Sequence, residues 1–148
     1  MVRKINKKYE LTTDTKIFFG RKLFRIKALI DFGNVKAGDL GGYVEKESNL
    51  SQYDNAWVYD NAKVYGNAEV YGDAKVCDNA WVYDNARVCG KAKVYDNAKV
   101  WGRAQVWGNA KIYGHANVWG HAEVYGNAEI YGDASVYDNT DVYLGLRS

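Results

Sequence analysis

"VYGNAEVYGDAKVCDNAWVYDNARV", residues 64–88, places a valine at every sixth position. The spacing extends well beyond this stretch. Val or Ile fills fifteen such positions, from Val58 to Val142, with no insertion. Alanine follows four residues after each aliphatic, from Ala62 to Ala134, with Ala56 ahead of the series and Thr140 closing it. The residue after the aliphatic is aromatic or Cys, the next is Gly or Asp, and the one after that is usually Asn.

A period of six fits no α-helix, whose apolar stripe returns every 3.6 residues. Within the unit, A-x-V-Y alternates as a strand does. Ala and the aliphatic face one way, the variable residue and the aromatic the other. Gly/Asp followed by Asn is turn chemistry, because these residues tolerate the left-handed backbone region. Each unit therefore reads as a four-residue strand and a two-residue corner. Hairpins favour Asn-Gly order, whereas this chain has Gly-Asn or Asp-Asn. Equal strands with equal corners predict a coil that always bends the same way. Three strands per turn give a triangular prism of about 18 residues per coil with coils about 4.8 Å apart, so about five coils make a rod of about 24 Å. The chain contains no Pro, as expected where every interior strand donates hydrogen bonds to the next coil.

The unit V-Y-G-N-A-E resembles the hexapeptide repeat of the left-handed parallel β-helix superfamily across about residues 53–143. The resemblance implies the left hand, which periodicity does not choose and which general crossover rules oppose. Aromatics stand here at the second position, where small or acidic residues are usual in that superfamily. The block "DFGNVKAGDLGGYVE", residues 31–45, resembles a set of bacterial and phage proteins labelled hexapeptide transferases by analogy. The expected fold is all-β: a single-stranded left-handed parallel β-helix over 51–143, a β-rich cap over 1–50 and a tail over 144–148.

In the cap, "KIFFGRKLFRIKALIDF" (16–32) predicts two strands with a turn near Gly20-Arg21. Val44 and Leu50 fall in phase with the alanine column. A cap shields the open end of a stacked β-rod. Residues 1–52 hold eleven Lys/Arg against six Asp/Glu, while 53–143 hold eight against twelve. That split suits solvated surface, or a basic cap meeting an anionic partner or the acidic rod of a neighbouring subunit. At the other end, Leu144 and Leu146 are expected either to fold over the last coil or to dock on another subunit.

Net charge is +2 with 26% charged residues, which excludes a polyelectrolyte tail and a disordered chain. The basic N-terminus lacks the apolar run of a signal peptide, and no stretch is long and apolar enough for a membrane helix. These features predict a soluble, cytoplasmic protein, in the host cytoplasm if phage-encoded. Cys77 and Cys89 replace aromatics within the repeat and suggest no metal site.

Stacking at 18 residues predicts outward columns. One is Tyr65, Tyr83, Trp101, Trp119 and Tyr137. A second is Tyr59, Cys77, Tyr95, Tyr113 and Tyr131, beside Trp57, Lys75, Lys93, Lys111 and Glu129. The third is Tyr53, Tyr71, Cys89, Trp107, Tyr125 and Tyr143. The aromatics serve either as a structural ladder or as a contact surface for self-association or a flat ligand. The superfamily resemblance implies a trimer. Lys75, Lys93 and Lys111 set three like charges in line, answered by Asp78 and Asp96 or by a phosphate-bearing molecule. His115 and His121 replace Asn at consecutive corners, on adjacent edges of the prism.

Two functions follow. One is a non-catalytic binding or scaffold rod, oligomeric, that sequesters a host protein or a small anionic, nucleotide-like ligand in a phage setting. The ladder Tyr65–Tyr137 and the three lysines are its candidate residues. Nucleic acid is not an expected partner, and no cofactor is expected. The other is the superfamily's acyltransferase chemistry, with acetyl-CoA as donor in an inter-subunit cleft near His115 or His121. Yet the repeat carries no cleft-forming loop and neither histidine has a carboxylate neighbour to orient it.

Overall fold

A computed structural model describes residues 7–147. The repeat folds into a left-handed parallel β-helix of about six coils with a β-rich cap at its N-terminal end. That is one coil more than the repeat alone supplies, because Val44 and Leu50 of the cap and Leu146–Arg147 at the far end each add one wall segment.

Three walls close the prism. The first carries Lys63–Val64, Trp81–Val82, Lys99–Val100, Asn117–Val118 and Ser135–Val136, and continues upward into the cap. The second, the lysine wall, carries Trp57–Val58, Lys75–Val76, Lys93–Val94, Lys111–Ile112, Glu129–Ile130 and Leu146–Arg147. The third carries Glu69–Val70, Arg87–Val88, Gln105–Val106, Glu123–Val124 and Asp141–Val142. Pairing is parallel, with an 18-residue step such as Val64 to Val82 to Val100.

The regular strands are two residues long, shorter than the four-residue A-x-V-Y expectation, because the alanine and the aromatic belong to the corner. Ala62 N–H donates to Tyr59 O at 3.1 Å, closing a turn around Asp60-Asn61. The residue in the left-handed region is the Gly or Asp, with φ of 57° at Asp60 and 67° at Gly66, not the Asn. Each unit also donates three backbone N–H groups to the next coil. Trp57, Tyr59 and Asn61 donate to the carbonyls of Ala74, Val76 and Asp78 at 3.1, 2.8 and 3.1 Å.

The core is the aliphatic column lined by the alanines, all buried from Ala56 to Ile130. Each buried valine contributes about 1.5–3 kcal/mol. The small alanines let the three walls meet at the corners.

In the cap, β1 (Tyr9–Phe18) and β2 (Arg21–Ala28) form an antiparallel hairpin turning on Phe19-Gly20, one residue before the expected position. β3 (Leu40–Val44) pairs antiparallel with β2 and parallel with Lys63–Val64. The register aligns Val44 with Val64 and Leu50 with Val70, so both sit in the aliphatic column rather than the alanine column. Two extra residues between Leu50 and Val58 cause the phase shift. They also take Tyr53 out of its column. Ser51 N–H donates to Val70 O, the bond Tyr71 makes one coil later, and Tyr53 stands 90% exposed.

Buried polar side chains finish the capped end. Asn49 accepts from the N–H of Glu45 and Lys46 and donates to the carbonyls of Gly66 and Ala68. Lys8 Nζ donates to Asp54 O and Ala56 O at 2.9 and 2.7 Å. The Tyr9 hydroxyl lies 2.6 Å from Leu50 O. Trp57 is buried between Tyr9 and Phe32, not outward as its column predicts. β3 runs so close to the first coil that a Cβ at Gly41 would lie 2.5 Å from Val58 O, and one at Gly42 2.6 Å from Ala62 O. At the far end, Leu144 is 73% exposed and does not fold over the core, while Leu146–Arg147 pairs with Glu129–Ile130.

Candidate functional site

The aromatic residues form ladders. Tyr65, Tyr83, Trp101, Trp119 and Tyr137 stack in unbroken sequence, with centroids 4.8–5.8 Å apart and planes within 11° of parallel. Tyr95, Tyr113 and Tyr131 stack on the lysine wall, and Trp107, Tyr125 and Tyr143 on the third. Strand spacing fixes the ring spacing, so each ring covers the one above it. Most rings are half-buried by their neighbours. The hairpin tip covers the start of the first ladder. Phe18 sits edge-on to Tyr65 and Trp81, at 5.7 and 4.9 Å, and Tyr65 is buried. Burial pushes the phenols of Tyr59 and Tyr83 above their ordinary value.

The corner aspartates have a role that composition alone does not reveal. The Asp60, Asp78 and Asp96 carboxylates accept from the backbone N–H of Asp78, Asp96 and Gly114, one coil on, at 3.3, 3.0 and 3.0 Å. Asp84 does the same for Gly102, Asp54 for Gly72 and Glu45 for Gly66. Much of the rod's acidity is thus spent on satisfying corner N–H groups.

This bears directly on the lysines. Lys75 pairs in register with Lys93, and Lys93 with Lys111. Asp78 and Asp96 lie across the Cys77–Tyr95–Tyr113 column from them and face the corner backbone. Among the described residues no carboxylate comes within ion-pair distance of the three lysines. Coulomb repulsion between charges one strand spacing apart is about 1 kcal/mol per pair in water. Lys91, Lys93, Asn109, Lys111, Asn127 and Glu129 line a depression of about 380 Å³ on this wall. Glu129 accepts from the Tyr113 hydroxyl at 2.9 Å, and that bond pushes the phenol up to about 12. Burial, with Asp78 and Asp60, raises the Cys77 thiol to about 11, so it stays protonated.

The histidines stand apart, as the corner positions require. His115 lies on the edge between the lysine wall and the cap wall, and His121 on the next edge. Their backbone N–H groups donate to Gly132 O and Asp138 O. Among the described residues neither imidazole has a hydrogen-bond partner to orient it. Among the described residues no group of three or more His, Cys, Asp or Glu could hold a metal ion, and no helix is long and apolar enough to cross a membrane.

Two features lay outside the reading of the sequence. One is the corner carboxylate ladder, whose signal is Asp recurring at an 18-residue step. The other is Lys91, an Asn-position substitute that falls beside Lys93 and Lys111 only once the prism is closed. No family model matches the chain, and no curated protein matches its sequence.

Proposed function

We propose that this chain is a non-catalytic binding rod whose lysine wall holds a small anionic, phosphate-bearing ligand of the nucleotide class. The carrying observation is the row Lys75, Lys93 and Lys111, in register on adjacent coils with no carboxylate partner. A row of like charges raises the energy of the free protein and lowers that of a complex with a polyanion. Lys91 adds a fourth charge, and Asn109 and Asn127 add amide donors. The neighbouring stack of Tyr95, Tyr113 and Tyr131 offers ring edges to a base. The rigid, insertion-free rod supports capture by a preformed surface rather than turnover in a cleft.

Native mass spectrometry of the protein as purified from cells tests this reading. The expected result is an extra mass carrying phosphate, absent from the Lys93→Ser/Lys111→Ser variant. A bare chain overturns ligand capture in favour of a scaffold that binds another protein. Acyl transfer from acetyl-CoA near His115 or His121 is the alternative, and it lacks an oriented base. Turnover with acetyl-CoA that disappears in His115→Ala or His121→Ala would establish it.

A further inference from the structure

We infer that the cap wall is a self-association surface, on which the hairpin tip of a second copy docks against the uncovered rungs of the aromatic ladder. This inference does not use the lysine wall and stands apart from the ligand reading.

Within one chain the tip already binds the ladder. Phe18 meets Tyr65 and Trp81 edge-on, and Phe19 lies 5.9 Å from Trp81. That contact covers only the first two rungs. Trp101, Trp119 and Tyr137 continue the same stacked surface without a cover. The tip has unused apolar surface as well: Phe19 is 76% exposed and Ile17 69%. Trp81 is not repeated, since Lys99, Asn117 and Ser135 hold its position on the later coils, so a second tip meets the Tyr65 column alone. A chain that presents both an aromatic tip and more of that column is self-complementary.

Charge favours the same partner. Lys22 stands beside the tip, while Lys16 and Arg21 lie over their own Tyr43 and Tyr65 and Arg21 pairs with Glu45. Asp133 and Asp138 flank the Ser135–Tyr137 rung. Two rods laid antiparallel, cap wall to cap wall, bring each basic tip to the other's acidic end. The tip reaches the level of the second rung, at Trp81. Its counterpart on the partner is the fourth or fifth rung, Trp119 or Tyr137. The two-fold axis then passes near the third rung, Trp101. Such a contact is isologous and closes as a dimer, in place of the trimer that the superfamily resemblance implies.

The backbone supplies a clean variant. Phe19 has φ of 50°, in the left-handed region where a bulky residue is strained and Asn is tolerated. Phe19→Asn removes the ring while suiting the turn. Sedimentation equilibrium and native mass spectrometry on the full chain should give a dimer for the wild type. Phe19→Asn should weaken it by more than about tenfold with a far-ultraviolet circular dichroism spectrum unchanged from wild type. Lys22→Glu and Asp133→Lys should each weaken the dimer, and the two together should restore it. A wild-type monomer or trimer, or a dimer indifferent to Phe19→Asn, overturns the inference. Failure of the charge swap to rescue overturns the antiparallel arrangement.

Discussion

A corner of the rod asks two things of one residue: a left-handed backbone and an acceptor for the N–H of the next corner. Glycine meets only the first. Aspartate meets both, at some conformational cost. Asp96, at φ of 58°, accepts from Gly114 N at 3.0 Å. Asp96→Ala loses the acceptor and keeps a Cβ in a strained backbone, and should destabilise by about 2–3 kcal/mol. Asp96→Asn should cost about half as much, and Asp96→Gly less than about 1 kcal/mol, because glycine relieves the strain it inherits. Urea unfolding of the three variants checks the order. Lys8 makes a different prediction. Burial lowers its ammonium to about 8, against an opposing pull from Asp54 3.8 Å away. Between about 8 and the ordinary lysine value near 10.5 the unfolded chain holds a proton that the folded one has released. Stability therefore rises with pH across that window. Tyr9 works the other way, since burial raises its phenol and the folded chain keeps a proton that the unfolded one loses above about pH 10. Melting temperature should climb from pH 7.5 to about 9, above which the raised Cys77 thiol and then the Tyr9 phenol oppose it. Lys8→Met should abolish that climb and leave Asp54 O and Ala56 O without their donor, at a cost of about 1–3 kcal/mol.

At the level of the element, the ladder is a repeating cross-strand pair. It is unbroken on the cap wall and interrupted at Cys77 and Cys89 on the others. Cys77 lies between Tyr59 and Tyr95, where a ring would stack on both sides. Cys77→Tyr should raise stability by up to about 1 kcal/mol, read as a higher melting temperature. No change would mean that the rings merely tolerate one another. The six-residue period was enough to foresee the three walls, the buried valines and the stacked columns, because every unit repeats the same constraint. It misplaced Val44, Leu50, Tyr53 and Trp57, all at the junction with the cap. There the two extra residues after Leu50 shift the phase by an amount that only pairing with Val64 and Val70 reveals. The lysine row was legible as a column. Its lack of partners was not, because Asp78 and Asp96 have the charge to answer it and spend that charge on corner N–H groups instead.

The whole molecule is a stiff prism in which each coil leans only on its neighbours. Its three walls differ in what they expose. The lysine wall presents three lysines in register, without ion-pair partners among the described residues, beside stacked tyrosines. The cap wall presents a ladder half covered by its own hairpin. The third is mostly acidic, carrying Glu69, Glu123 and Asp141, with Arg87 near Glu69 at 3.6 Å. A ligand held mainly by lysines must bind more weakly as salt rises, because bound cations on the phosphates and screening both compete with the contact. Isothermal titration of the purified full chain with ATP, and with inorganic triphosphate in parallel, tests the binding rod most directly. The account predicts saturable binding that weakens by about tenfold or more between 50 and 200 mM salt. It also predicts loss of binding in Lys93→Ser/Lys111→Ser, and tighter binding of ATP than of triphosphate from packing of the base against the tyrosine edges. No heat with either anion at 50 mM salt, or binding that survives the double substitution, would contradict it.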